Sequence, residues 1–241
     1  TGTGELVVAA TNGIFNWSGG TQSGTGKTTL KGTSTLSGSN KFLDTRTIEN
    51  QGNVTWTNGD IYASNGAVWN NTATGVFDIQ GNNGFYQNVG NQSKLNNAGT
   101  LKKTVGTGTT TISTQLNNTG TVQVQTGTVN LSGGGSSSGT FQADIGATLA
   151  FGGGNHTLTA GLLTGNGIIA ISGANVTVSS AIVRDLNNLT LSSGTLGLNG
   201  TTASETDNLT QTGGTLTGTG ELVVAATNGI FNWSGGTQSG T

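Results

Sequence analysis

The chain has 241 residues, of which 44 are glycine and only 7% are charged, and it contains no Pro, Cys or Met. Eight basic and ten acidic residues leave a net charge of −2, so no basic stripe faces a phosphate backbone, and nucleic acid is not an expected partner. No apolar run approaches the roughly 20 residues that cross a bilayer, so no membrane insertion is expected in this segment, and the lack of cysteine excludes a disulfide framework.

The first segment, residues 1–25 (TGTGELVVAATNGIFNWSGGTQSGT), returns letter for letter as residues 217–241, which defines a 216-residue unit. A fixed internal period decides architecture before local propensity does. Structural convergence would keep only residue types, whereas this copy also keeps surface Gln, Ser and Asn, the mark of a tandem duplication. The expected organisation is one full repeat unit over 1–216 and the start of the next identical unit over 217–241, continuous with it. Thr1 and Thr241 then read as cuts within a continuing pattern, and an export signal is expected outside this segment. Just after the first copy, Gly24-Thr25-Gly26-Lys27-Thr28 invites comparison with a phosphate-binding loop. Such a loop needs a glycine where Thr21 stands and a surrounding βαβ unit, and neither is present.

Farther along, short runs alternate apolar and polar residues between Gly, Asn and Ser clusters: Val54–Trp56, Val76–Ile79, Val122–Val124, Val129–Leu131, Ile169–Ile171, Val176–Val178 and Leu189–Leu191. A period of two puts every second side chain on one face, the signature of a strand. Abundant Thr and Val favour extended backbone, and no window carries a helical period. A second motif sets the scale. Ile48-Glu-Asn50, Trp69-Asn-Asn71, Leu95-Asn-Asn97 and Leu116-Asn-Asn118 follow one another in steps of 21, 26 and 21, and the related Leu186-Asn-Asn188 returns where three further turns of similar length would place it. Ten coils of 21–22 residues fill the 216-residue unit as a whole number, so that units join without a break and 217–241 stacks in the coil conformation of 1–25.

That spacing predicts an all-β fold, a single-stranded parallel β-helix (β-solenoid), right-handed as crossovers usually are. An antiparallel sandwich would instead show two-residue hairpins and strands every 8–12 residues. Stacked coils at about 4.8 Å make one unit roughly 48 Å long. Asn50, Asn71, Asn97 and Asn118 are expected to form a ladder at one corner, where Asn tolerates left-handed backbone and each side-chain amide bonds the next.

Residues 95–112, 116–134 and 138–158 resemble the repeat regions of large bacterial surface and secreted proteins, similar in style to filamentous-haemagglutinin and autotransporter adhesins. The resemblance implies export, a parallel β-helix stalk, an extracellular or cell-surface location, and roles in attachment, matrix or sheath formation. No catalytic, cofactor-binding or metal-binding residues are expected. Glu205 and Asp207 share a face if extended, but Asp60, Asp78 and Asp144 fall on separate coils, and nothing links them to His156 or Arg184 as a glycosidase pair requires. His156, after Gly152–Gly154, reads as an exposed turn residue. The repeated Gly-Gly-x-Gly-x-Asp pattern of calcium-binding solenoids is missing, and the Thr-x-Thr pairs at 45–47, 55–57 and 107–109 do not recur at coil spacing as an ice-binding array requires. Trp17, Trp56 and Trp69 offer stacking surfaces for sugars but read better as packed aromatics. The expected protein is a structural component of an extracellular fibre, stalk or sheath, whose partners are adjacent identical repeats. The alternative is an adhesin that binds surface glycans through a lateral face, ahead of a polysaccharide-active enzyme.

Overall fold

A computed structural model of the chain describes residues 2–180, 182–225 and 228–240. All of its regular elements among these residues are β-strands, and each coil places three of them in turn. On the first face, parallel pairing links Glu5–Val8, Lys27–Leu30, Thr47–Asn50, Val68–Asn71, Lys94–Asn97, Gln115–Asn118, Gly135–Ser137, Asn155–Leu158, 175–178, 195–198, Thr215–Gly218 and Thr237–Gly240. The second face starts at Ile14–Trp17 and runs through Thr33–Leu36, Asn53–Trp56 and Val76–Gln80 to Leu222–Val224, again all parallel. The third starts at Gly20–Ser23 and runs through Lys41–Asp44, Ile61–Ser64 and Phe85–Gln87 to Ile230–Trp233. The fold is a parallel β-solenoid of about twelve turns.

Alternation in the sequence decides which side chains fill it. In Thr121–Val124 the residues Val122 and Val124 point inward and are buried, while Thr121 and Gln123 face out. Because each coil lies in register on the last, like stacks on like: Val54, Phe77, Leu101, Val122, Phe141, Leu163 and Val183 form one continuous buried column behind the second face. Each such side chain is worth about 1.5–3 kcal/mol of burial. One stretch of the core is aromatic. Trp69 stacks on Phe77 at 4.7 Å, Trp56 on Phe77 at 5.8 Å, and Phe85 meets both indoles edge-on.

Among the coils of short strands, length varies mainly at the corners. Glu5 to Lys27 is a step of 22, Lys27 to Thr47 is 20, and Val68 to Lys94 is 26, the last because the corners at 72–75 and 88–93 are both longer than their counterparts in the coil before. The long strands Leu162–Val178 and Ile182–Leu198 each bend round all three faces, with register shifts where they turn.

The repeated segment occupies different faces at the two ends. Glu5–Val8 lies on the first face, whereas its copy Leu222–Val224 pairs with 204–206 on the second. Ile14–Trp17 lies on the second face and its copy Ile230–Trp233 on the third; Gly20–Ser23 lies on the third and its copy, within Thr237–Gly240, on the first. The 216-residue unit therefore advances by thirty-one strand positions at three to a coil, which is ten and one third coils and not a whole number.

Candidate functional site

The four asparagines of the repeated motif lie one above another as the last residues of first-face strands. Nδ2 of Asn50 donates to Oδ1 of Asn71 (2.7 Å), Asn71 to Asn97 (2.7 Å) and Asn97 to Asn118 (2.8 Å), and Asn118 donates to Oγ of Ser137 (3.4 Å). Each amide also donates to a carbonyl of the coil above: Val76, Thr100, Thr121 and Thr140, at 2.9–3.2 Å. None of the four has positive φ, and all are buried, so the column is interior and not a left-handed corner. Its neighbours explain the geometry. The corner that follows is drawn so tight that a methyl group on Gly99 would collide with the carbonyl oxygen of Gly75. Asn187 and Asn188 do not extend this column; beyond Ser137 its place is taken by Leu158, Val178 and Leu198. Asn188 lies instead on the third face, and Asn187 is bonded by Asn208 (3.2 Å), because the motif there straddles a different corner.

One residue earlier in the same strands, a second column faces outward. Nδ2 of Asn117 donates to Oδ1 of Asn96 and Asn96 to Asn70, each at 2.9 Å, so this column donates in the direction opposite to the buried one. With Glu49 at its end and Thr72, Ala73, Ala98 and Thr119 along the corner, it lines an open groove of about 520 Å³. Glu49 also anchors Lys27, which lies 3.3 Å from both Glu49 and Glu5; hydrogen bonds to these two carboxylates raise the lysine's pKa. Along the groove the neutral Asn side chains are bonded to one another, and Glu49 supplies its charge.

On the third face a stripe of outward aromatics follows register: Phe42, Tyr62 and Tyr86, with ring centroids 5.5 Å apart at each step. Phe42 is 41% exposed. Tyr62 Oη donates to Asp60 (3.4 Å), and burial, together with Asp60 and Tyr62, pushes the Tyr86 phenol above its usual pKa. The sequence signal for this stripe was the 20- and 24-residue spacing of the three aromatics, hidden by their inward neighbours Leu43, Ile61 and Phe85. Trp17, Trp56 and Trp69, by contrast, are interior and offer no face to a sugar.

His156 is not in an exposed turn. It is 3% exposed, shares the inward side of its strand with Leu158, meets Phe151 edge-on at 4.9 Å and donates through Nε2 to the Gly153 carbonyl (3.0 Å). Burial holds its pKa below the usual value. Two lysines are also interior. Lys41 donates to the carbonyls of Ser39 (2.9 Å) and Asn58 (2.7 Å), and Lys103 to the Gly81 carbonyl, Asn82 Oδ1 (3.1 Å) and Thr110 Oγ1 (3.2 Å). Corner oxygens, rather than carboxylates, satisfy both ammonium groups, and burial lowers both pKa values.

Glu205 and Asp207 are exposed on Ser204–Gln211. Asp60 serves the Gly84 amide, Asp78 binds Thr104 and Gln80, and Asp144 binds Gln123 and Gln142. Among the described residues no group of three or more His, Asp or Glu side chains gathers to hold a metal ion, and no helix is long and apolar enough to cross a membrane. The Gly24–Gly26 corner leads into Lys27–Leu30, and its lysine is the one bound by the two glutamates. Thr45, Thr55 and Thr109 fall at different places around the coil, so their Thr-x-Thr pairs make no common array. No family model, curated protein or solved structure matches this chain.

Proposed function

We propose that this chain is a structural component of an extracellular fibre, stalk or sheath, in which tandem identical units share one solenoid. The observation that carries the reading is the parallel pairing of Leu222–Val224, Ile230–Trp233 and Thr237–Gly240 onto the last coils of the preceding unit, with Leu222 and Val224 packed against its core. A solenoid leaves unpaired strand edges only at its ends, and a following unit covers one of them. Low charge, absent cysteine and the resemblance of residues 95–158 to surface-protein repeats support a secreted location. Oriented fibres of the protein should diffract with a strong meridional spacing near about 4.8 Å; a pattern without it sinks the reading. Antibody labelling of intact cells tests the location, which fails if label appears only after the cells are opened.

A second reading, an adhesin that engages glycans laterally, is favoured by the outward Phe42–Tyr62–Tyr86 stripe, because a row of partly exposed aromatic rings at successive rungs suits the apolar patches of sugars. Glycan-array binding that survives Tyr62→Ala and Tyr86→Ala together would remove it.

A further inference from the structure

The two copies of the repeated segment present opposite sides of one coil. In the first copy Trp17 is 6% exposed because the next coil covers it, with Leu36 as its register partner. In the second copy the same residue, Trp233, is 57% exposed, and Phe231 beside it is 43% exposed, their rings stacked at 6.4 Å and 7°. Leu6 is 48% exposed on the opposite side, while its copy Leu222 is packed on the coil before it. Two corner positions keep the same left-handed backbone in both places. Asn12 and Asn228 have φ of 59° and 64°, and Gly20 and Gly236 have φ of 84° and 87°. The surface around Phe231 and Trp233 is thus the surface that residues 27–36 cover in the first copy, and its fitting occupant is the same segment of a following unit.

That occupant sits in a defined orientation. Because each strand of the copy lies one face further round than its original, whatever stacks on the copy is displaced by one face as well. We infer that successive units of this solenoid are joined with a turn of one third of a coil, so that three units, thirty-one coils in all, pass before any surface returns to the same side. This rests on the proposal that units follow one another in one filament. The rise per unit is about 50 Å at the usual strand spacing. The outward aromatics of the third face then appear on the first face in the second unit and on the second face in the third. The asparagine groove moves from first to second to third. Each side of the filament carries the groove, the aromatic stripe and the outward surface of the second face in rotation, so a ligand for any one of them meets it from every direction.

The joint lies within the chain and is testable there, since the protein has no native cysteine. Thr210 and Asn232 are register partners on the third face. Stacked partners lie about 4.8 Å apart, within disulfide reach. In the full chain, oxidation of the Thr210→Cys, Asn232→Cys variant should give an intramolecular disulfide in most molecules, read as a gel shift reversed by reductant. Glu205→Cys with Asn232→Cys should give almost none. Joining by whole coils would reverse these results, since Asn232 would then stack over the second face. A β-rich chain in which neither pair closes also overturns the turn. If substitution at 210 unfolds the chain, Thr217→Cys with Ser239→Cys makes the same test on the first face, where whole-coil joining would leave Ser239 on the third. Fibres that keep the reflection near about 4.8 Å while the 205/232 pair closes remove the turn and leave the fibre; loss of the reflection with no closure removes the fibre itself.

Discussion

From its third coil on, after Val8 and Leu30 in the first two, the solenoid fills one interior position with opposite chemistry in two halves. From Asn50 to Asn118 the last inward residue of the first-face strand is an amide bonded to its neighbours above and below; from Leu158 onward it is Leu158, Val178 and Leu198. The amide column fixes register by direction and distance, because a one-residue slip would turn the asparagines out and bury Glu49 and its neighbours. The aliphatic column has no directional bonds and specifies register only through which side chains are buried. There the strands run almost unbroken round the coil, and register comes from long pairing between Leu162–Val178 and Ile182–Leu198. The amide column thus lies between aliphatic residues on both sides, Leu30 below and Leu158 above, and adds directional bonds to strands of four residues.

The sharpest way to break this contrast is at the centre of the amide column. Asn97→Ala strands the Asn71 donor, the Asn118 acceptor and the Thr121 carbonyl, and should cost about 3 kcal/mol or more. Val178→Ala, at the equivalent position of the other half, should cost about 2 kcal/mol through lost burial. Urea midpoints that rank these two the other way would contradict the assignment. Next come the corners. Gly99→Ala drives a methyl group into the Gly75 carbonyl and should cost about 1–3 kcal/mol, whereas Gly197→Ala, whose nearest new contact is 3.8 Å away, should gain about 0.4–1 kcal/mol.

Acidity probes the boundary between the halves. The His156 pKa is lower folded than unfolded, so its contribution is intact above the unfolded value of 6.5 and is lost as pH falls through the folded one. Denaturation midpoints should drop between pH 7.5 and 5, and His156→Phe should flatten that drop. The smallest effect belongs to the outward column: Asn96→Ala, which removes only solvent-accessible hydrogen bonds, should change stability by about 0.5 kcal/mol or less.

The sequence carried the strands and the coil, because alternation of period two and the recurrence of Asn50, Asn71, Asn97 and Asn118 are both local patterns with long-range spacing. Three features escaped it for physical reasons. His156 follows a run of glycines that reads as a turn, although its position two residues before Leu158 places it on the inward side. Asn187 and Asn188 repeat the motif's letters but meet a different corner, since the same tripeptide fits any place where a strand ends. The third of a coil left over in the 216-residue unit is comparable to the difference between a 20-residue and a 26-residue coil, so length cannot reveal it; only strand register can.

The offset between the two copies has a mechanical consequence. In the proposed filament every unit would carry the same one-sided features, such as the long corner at 88–93 and the outward stripe of Phe42, Tyr62 and Tyr86. Units joined in phase would line these asymmetries up and give the rod a preferred direction of bending. Displaced by a third of a coil at each joint, as proposed, they would cancel over three units, and such a rod would resist bending equally in all directions.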